Sequence, residues 1–348
     1  MAMRMIAVGD VNLMNLAAGD EPFARVRATL AAADILFGNL ECCLYRPPGG
    51  GAPEREGFFA DPAAAGAALK AAGFAAVGVA NNVNYGEAAI MASLARLDAL
   101  GIAHTGAGAD RQAARAPAIL MRGGLKCGFV QRSAVYWPTN HEAGESSAGI
   151  AVIRAHTAYQ VPLHGSRPGM PPPNRPGIPP EVLTWADPAS LAEFAQDIAR
   201  LREQADIVVV SCHWGLFREV LAYMRETAHA AIAAGADLVI GHGPHYALPI
   251  EVHRGKPIFY GLGSFAFEIG HGGRRHGDWL GLMAVLDWRD GRLRDAAFRF
   301  VRHDAEGRTY LSPLAAEAAA FEALAQASAG FGTRLAARGE EAAIALAG

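Results

Sequence analysis

The stretch Ala236-Asp237-Leu238-Val239-Ile240-Gly241-His242-Gly243-Pro244-His245 joins a short apolar run to a glycine- and proline-bent loop carrying two histidines. The run is too short for a helix and suits a buried strand, so both imidazoles lie just past the strand's carboxyl end. Histidines three apart on such a loop can turn toward one point, and imidazole is a good ligand for borderline divalent metals. Taken alone, such a pair is more often a hydrogen-bonded surface or core feature than a metal site. Its meaning depends on how the other apolar runs end.

Met5–Val8, Ile35–Phe37, Ala76–Val79, Lys126–Val130, Ile207–Val210 and Ile258–Tyr260 are runs of the same kind, most of them ending in Gly, Asn or His. Helical spacing separates several of them. Ile90, Leu94 and Leu97 share a face within 86–100, and Leu191, Phe194, Ile198 and Leu201 follow the cap-like Asp187-Pro188. This alternation predicts α/β architecture with partly parallel strands. Further on, Leu280–Trp288, Arg289-Asp290-Gly291 and Leu293–Val301 predict a hairpin closed by an Asp-Gly turn. The fold is therefore expected to be mixed α/β and α+β. Residues 1–311 are read as one domain with a Pro-, Gly- and His-rich insertion at about 136–180, and the Ala-rich 312–348 as a helical extension packed on it.

Composition narrows the function classes. Hydrophobic residues make up 51% and charged residues 19%, enough for a sizeable core and too apolar for a disordered chain. With 31 basic against 34 acidic side chains, a net charge of -3 and no dense basic run, nothing points to a nucleic-acid partner. No apolar stretch reaches the about 18 residues a membrane span requires. Met1–Val8 runs into Gly9-Asp10 without a signal-peptide cleavage pattern. Cys42, Cys43, Cys127 and Cys212 form no C-x-x-C pair, so reduced thiols in a cytoplasmic protein are expected.

In open α/β sheets, ligands bind beyond the carboxyl ends of the strands. Those ends carry Asp10, Asn39 with Glu41, Asn81 with Asn82, His213, and His242 with His245. Each has an ordinary explanation: Asp10 and Asn82 as turn or cap residues, Glu41 as an ion-pair partner, His213 as a hydrogen-bonded core histidine. Their recurrence at successive strand ends is better explained by a mixed N/O metal centre. Cys212 precedes His213 on a strand, where alternation sends the two to opposite faces, so Cys212 is expected in the core.

Gly9-Asp10, Gly38-Asn39-Leu40-Glu41, Ala80-Asn81-Asn82, His213-Trp214-Gly215 and Gly241-His242-Gly243-Pro244-His245 occur in the order seen in CapA-type proteins. These are poly-γ-glutamate capsule proteins of the calcineurin-like metallophosphoesterase superfamily, which the chain resembles over roughly residues 4–300. Tyr85-Gly86-Glu87, Thr105-Gly106-Ala107-Gly108, Ala234-Gly235-Ala236-Asp237 and Gly255–Tyr260 resemble the same family. The resemblance implies a four-layer αββα sandwich of the metallophosphatase type. It also implies Asp10, Glu41, Asn82, His213, His242 and His245 as ligands for one or two divalent ions such as manganese, iron or zinc. Asp10, His213 and His245 would carry catalysis, and Asn81, Trp214 and Ser264 would contact a small-molecule or peptide-like substrate.

Three positions depart from the family pattern. Val83 stands where relatives have a histidine after the paired asparagines, Gly243 where they have a histidine, and Ser264 where they have an asparagine. A histidine at position 83 would protonate a leaving group or steady the transition state, which valine cannot do. His141, His156 and His164 in the insertion, and Tyr85, are the nearby candidates to replace it. Metal-dependent hydrolysis of a phosphoester or amide is the leading expectation. The alternatives are a metal-independent acid–base enzyme such as a peptide or amino-acid epimerase, using no cofactor, and a non-catalytic factor in polymer synthesis.

Overall fold

The computed structural model describes residues 2–48, 57–139, 141–161, 179–270, 275, 277 and 279–346. The apolar runs become parallel strands because helices return the chain each time to the same end of a sheet. β1 (Ala2–Asn12) pairs in parallel with β2 (Ile35–Leu40). Helices α1 (Pro62–Ala72) and α2 (Glu87–Leu100) then lead into β3 (Ala76–Gly78) and β4 (Ala103–Thr105). A second sheet starts with β5 (Ala118–Arg122) and β6 (Leu125–Ser133), and the hairpin β7 (Ala155–Gln160) with β8 (Glu181–Ala186) follows. Helix α3 (Pro188–Arg202) leads to β9 (Ile207–His213), and α4 (Ala222–Ala233) to β10 (Leu238–His242). β11 (Ile250–His253) and β12 (Lys256–Phe259) complete that sheet.

The chain then crosses back. β13 (Ser264–Phe267) pairs with β1, and the long β14 (Gly281–Arg289) and β15 (Arg292–His303) extend the first sheet. β16 (Thr309–Ser312), α5 (Ala318–Ala329), β17 (Leu335–Arg338) and β18 (Glu341–Ile344) end the fold. The first sheet is 10-stranded in the order β17-β18-β15-β14-β1-β2-β3-β4, with β13 beside β1 and β16 beside β15. The second is 6-stranded, ordered β11-β12-β10-β9-β6-β5.

Side-chain alternation sorts the core into layers. Met5, Ala7, Ile35 and Phe37 meet Phe129, Ile207, Val209 and Ile240 between the sheets, where Phe37 and Phe129 stack at 5.0 Å. Ile6, Val8 and Leu36, one residue out of phase, pack with Leu69, Ile90 and Leu97 of α1 and α2. Val208, Val210 and Val239 do the same on the far side with Phe194 and Ile198 of α3 and Met224 of α4. The layers are helix, sheet, sheet, helix, the sandwich expected. Asp61 and Asp187 start α1 and α3 by accepting backbone N–H groups ahead of a proline.

The Asp-Gly hairpin forms as expected: Asp290 and Gly291 both have positive φ, 50° and 71°, the signature of a type I′ turn. The C-terminal stretch differs from its helical reading. Helix α5 ends by Gly330–Gly332, β17 pairs with β18, and β18 pairs onto β15 at Ala297 and Phe298. Leu335 and Ile344 bury in the inter-sheet core, so tertiary pairing overrides alanine's helical preference. Within the 136–180 stretch, β7 pairs with β8, which lies just past it, and Gly149–Ile150 pairs with Ala107–Gly108. His164 and most of the Pro168–Pro180 segment lie outside the described residues. No helix among the described residues is long and apolar enough to cross a membrane.

Candidate metal centre

The parallel strands of both sheets deliver their carboxyl ends to one edge. β1 supplies Asp10, the residue after β2 is Glu41, β9 ends in His213, and β10 ends in His242 with His245 three residues on. Asp10, fully buried, is the centre. Its Oδ2 lies 3.1 Å from His245 Nδ1 and its Oδ1 3.4 Å from His242 Nδ1. Asn39 Nδ2 donates to Oδ1 at 2.8 Å, and the Gly243 N–H donates to Oδ2 at 3.2 Å. Glu41 Oε1 lies 3.5 Å from His213 Nε2 and 3.8 Å from His245 Nε2.

Two local features make this convergence possible. His245 adopts a left-handed backbone, φ 61°, a strained state for a non-glycine residue that turns its ring back over the strand ends. Gly243 has φ +102°, and a Cβ there would sit 3.0 Å from His213 Nε2, so glycine leaves that nitrogen clear. Phe267 packs its ring 4.4 Å from that of His245 and also lines a cavity of about 210 Å³ with Asn12, Leu16, Glu268 and Arg308.

Hydrogen bonding fixes one histidine tautomer. The Ser133 hydroxyl donates to the Val135 carbonyl at 2.6 Å, so toward His213 Nδ1, 3.1 Å away, it acts as acceptor. Nδ1 then carries the proton and Nε2 presents its lone pair to the cluster. Among the described residues, Glu41 Oε2, His213 Nε2 and His242 Nε2 are buried without a hydrogen-bond partner. Buried polar atoms are normally satisfied, and several unsatisfied ligand atoms around one carboxylate fit a bound cation.

Charge is distributed unevenly. Burial alone would raise the Asp10 pKa, but hydrogen bonds and charge from His242 and His245 hold it well below the usual carboxylate range. Burial and the charge of Asp10 push Glu41 well above that range. Burial lowers His213 to about 4 and also lowers His242. Burial acts the same way on His245, but Glu41 and Asp10 outweigh it and raise that imidazole to about 9. Asp10 and His245 thus form an ion pair at neutral pH.

The other expected site residues are placed as follows. Ser264, opposite Asp10 in register, sets its Oγ 3.3 Å from His245 Nδ1 and so supports the ring from the buried side. Asn82 is half-buried on the turn after β3, and no hydrogen bond of its side chain is found among the described residues. Asn81 and Trp214, the expected substrate contacts, are both buried. Asn81 is fully buried, its amide donating to the Leu40 carbonyl at 2.9 Å. Trp214 lies in the outer core beside Cys212, its indole donating to the Tyr260 carbonyl at 2.9 Å. The alternation that sends Cys212 away from His213 sends Trp214 the same way. Val83 is fully buried in the apolar layer that also holds Leu44 and Phe58. His141 is buried, accepting from the Trp137 N–H, with Tyr85 edge-on at 5.9 Å, while His156 pairs with Asp187 at the surface.

Two groups among the described residues bring ligand-type atoms within 4.8 Å of one another. One is Asp10, Glu41 and His245. The other, His229 of α4 with Glu251 and His253 of β11, has no counterpart in the sequence reading. There His229 Nε2 meets Glu251 Oε1 at 2.9 Å and Tyr260 donates to Oε2 at 2.6 Å. Arg225 lies 3.7 Å from that same Oε2, and the two imidazoles stack at 3.8 Å. These partners satisfy the carboxylate and place a cation where a metal would go.

Residues 4–269 match the family model of the bacterial capsule synthesis protein PGA_cap. The chain is 28% identical over 305 residues to an uncharacterised protein of Sinorhizobium fredii, covering 76% of this chain and 66% of the relative. It is 30% identical over 227 residues to a probable polyglutamine synthesis accessory protein of Mycobacterium tuberculosis, covering 62% and 52%. It is 42% identical over 99 residues to the PGA biosynthesis protein CapA of Bacillus subtilis, covering 28% and 24%. The chain thus spans at most about two thirds of the length of these relatives.

Proposed function

The chain belongs to the bacterial capsule synthesis protein family, and from that premise we propose that it is a metal-dependent hydrolase. Its substrate would be a phosphoester or an amide of γ-glutamyl or peptide-like type. The observation that carries this reading is the set of buried, unpartnered ligand atoms on Glu41, His213 and His242 around the Asp10 carboxylate. Asp10, Glu41, His213, His242 and His245 would hold one or two divalent ions, with Asn82 as a further oxygen donor. A bound ion would lower the pKa of a coordinated water toward neutrality and neutralise charge on the attacked group.

The chain's own residues prepare that chemistry. Asn39 and the Gly243 N–H fix Asp10 as an acceptor, and Ser133 holds His213 with Nε2 outward. Val83 supplies no proton donor, so protonation of a leaving group falls to another side chain or to water. The names of the relatives refer to PGA biosynthesis and polyglutamine synthesis. A soluble amide of glutamate is therefore the natural probe beside a phosphodiester.

Metal analysis of unsupplemented protein, followed by hydrolysis assays on both probes with and without added manganese, tests the reading. Bound transition metal and metal-stimulated cleavage, both abolished in His242→Ala, are expected. Metal-free protein that cleaves neither probe under any metal overturns it.

The Asp10–His245 ion pair favours a second reading, since His245 is the most exposed of the cluster's five side chains, at 23%. It would make the protein a metal-independent acid–base enzyme, such as a peptide or amino-acid epimerase. Solvent deuterium entering the substrate Cα without metal supports it, and full retention of the original hydrogen refutes it. Inactivity in every assay would leave a non-catalytic role in polymer synthesis.

A further inference from the structure

The metal-ligand candidates come from two different sheets, Asp10 and Glu41 from the first and the three histidines from the second. One buried side chain ties these halves together. Gln131 of β6 is fully buried and reaches from the second sheet into the first. Its Oε1 accepts from the Ala80 N–H at 2.6 Å, just past β3, and its Nε2 donates to Asn39 Oδ1 at 3.0 Å. The slot it fills is cleared by glycine: a Cβ on Gly78 would fall 2.4 Å from the Gln131 amide carbon.

The direction of this chain of hydrogen bonds is forced. A backbone N–H can only donate, so the Gln131 atom facing Ala80 must be oxygen and the atom facing Asn39 must be nitrogen. Asn39 must in turn present Oδ1 to Gln131, which leaves its Nδ2 to face Asp10, where it donates at 2.8 Å. Asn81 Nδ2, 3.4 Å from the same Asn39 oxygen, agrees with that orientation. Were the Asn39 amide reversed, an oxygen would face the Asp10 carboxylate and repel it.

We propose that Gln131 is a positioning residue that acts through Asn39 to orient the Asp10 carboxylate for the metal centre, coupling the geometry of the two sheets at the site. This rests on the metal-centre reading above. Partners that orient metal ligands typically change affinity by about 10–100-fold when removed.

The test pairs metal binding with a metal-free measurement. Manganese affinity is measured by calorimetry for the wild type, Gln131→Met, Asn39→Ala and the double variant. Exchange of the Asn39 side-chain amide protons is followed by NMR in metal-free wild type and Gln131→Met. Gln131→Met is expected to weaken manganese binding about 10–100-fold and to speed Asn39 amide exchange at least about tenfold. In the Asn39→Ala background it should add less than about twofold, because the route through Asn39 is already cut. A folded Gln131→Met protein with wild-type affinity and unchanged exchange overturns the proposal and leaves the metal centre standing. Fully additive losses overturn the route through Asn39. Wild type that binds no manganese, zinc or iron, with Asn39 exchange still speeded in Gln131→Met, overturns the metal role while retaining the orienting of Asp10.

Discussion

Asp10, Glu41, His213, His242 and His245 at the strand ends, and His229, Glu251 and His253 between α4 and β11, gather the same kinds of side chain. They differ in what satisfies them. At the second cluster both oxygens of Glu251 have close partners in Tyr260 and His229, and Arg225 lies beside them. At the first, buried ligand atoms of Glu41, His213 and His242 have none among the described residues. Proximity of imidazoles and carboxylates is therefore a poor guide to a metal site, and unmet hydrogen-bonding capacity is a better one, because burying an unpartnered polar atom costs about 1–3 kcal/mol.

The sharpest separation is expected in metal affinity. Asp10→Ala or His242→Ala should weaken manganese or zinc binding by more than about 100-fold, since even outer partners of ligands are worth about 10–100-fold. His229→Ala should stay within about twofold of wild type. Calorimetric titration of the three variants checks this, and equal losses at both clusters would erase the distinction.

Stability should separate them in the opposite sense. Glu251→Leu strands the Tyr260 hydroxyl and the His229 Nε2, so it should lower unfolding free energy by about 2–3 kcal/mol without touching metal affinity. Urea denaturation of metal-free protein reads this directly. A stability loss below about 0.5 kcal/mol would show that Glu251 is not the structural tie its partners imply.

The strand-end site candidates were legible because a buried parallel strand announces its own end. An apolar run stops at Gly, Asn or His, and the topology then gathers such ends at one edge. Asp10, Glu41, His213, His242 and His245 follow from that local rule, as does the Asp290-Gly291 turn. The same period of two that sends Cys212 to the outer core sends its neighbour Trp214, two residues on, to that side. Gln131 and Ser133 carry no such signal because the apolar run stops at Val130, whereas β6 continues to Ser133, which sits beside His213 in register. No local pattern signals a hydrogen bond from one sheet into another. The hairpin of β17 and β18 hid for a related reason: alanine favours helix in isolation, and only the open edge of β15 offers it a ladder.

Titration gives a third contrast, of about tenfold per pH unit. His245 is raised to about 9 in the metal-free fold, so a metal must displace its proton. Affinity should climb about tenfold per unit from pH 7 toward 9 and flatten above it, because one proton leaves per ion bound. The stability of metal-free protein should move the other way. A histidine whose folded pKa exceeds its unfolded value of about 6.5 stabilises the fold fully below that value, and the contribution is lost as pH rises through about 9. His213, lowered to about 4, has the opposite sign: its contribution is present above about 6.5 and lost as pH falls toward 4. Affinity independent of pH between 7 and 9 would remove His245 from the ligand set.

The smallest effect is expected at His253, and it bears on whether the second cluster ever accepts a metal. Burial first, and then the neighbouring His229 imidazole, lower the His253 pKa, so the ring is stacked in its neutral form near pH 7. His253→Phe keeps a flat ring against His229 and removes the titrating nitrogen. At pH 7 its stability should match wild type within about 0.5 kcal/mol, the usual range for a partly exposed site. As pH falls below about 6.5, wild type must place a proton on a ring that resists it, and the phenylalanine variant should hold its stability better. The same variant counts metal sites. If Glu251 is committed to Tyr260 and His229, zinc titrations of wild type and His253→Phe should give the same number of tight sites. A tight site lost in the variant would mean that zinc displaces Arg225 and unstacks the two rings, and that the partners seen around Glu251 yield to a cation.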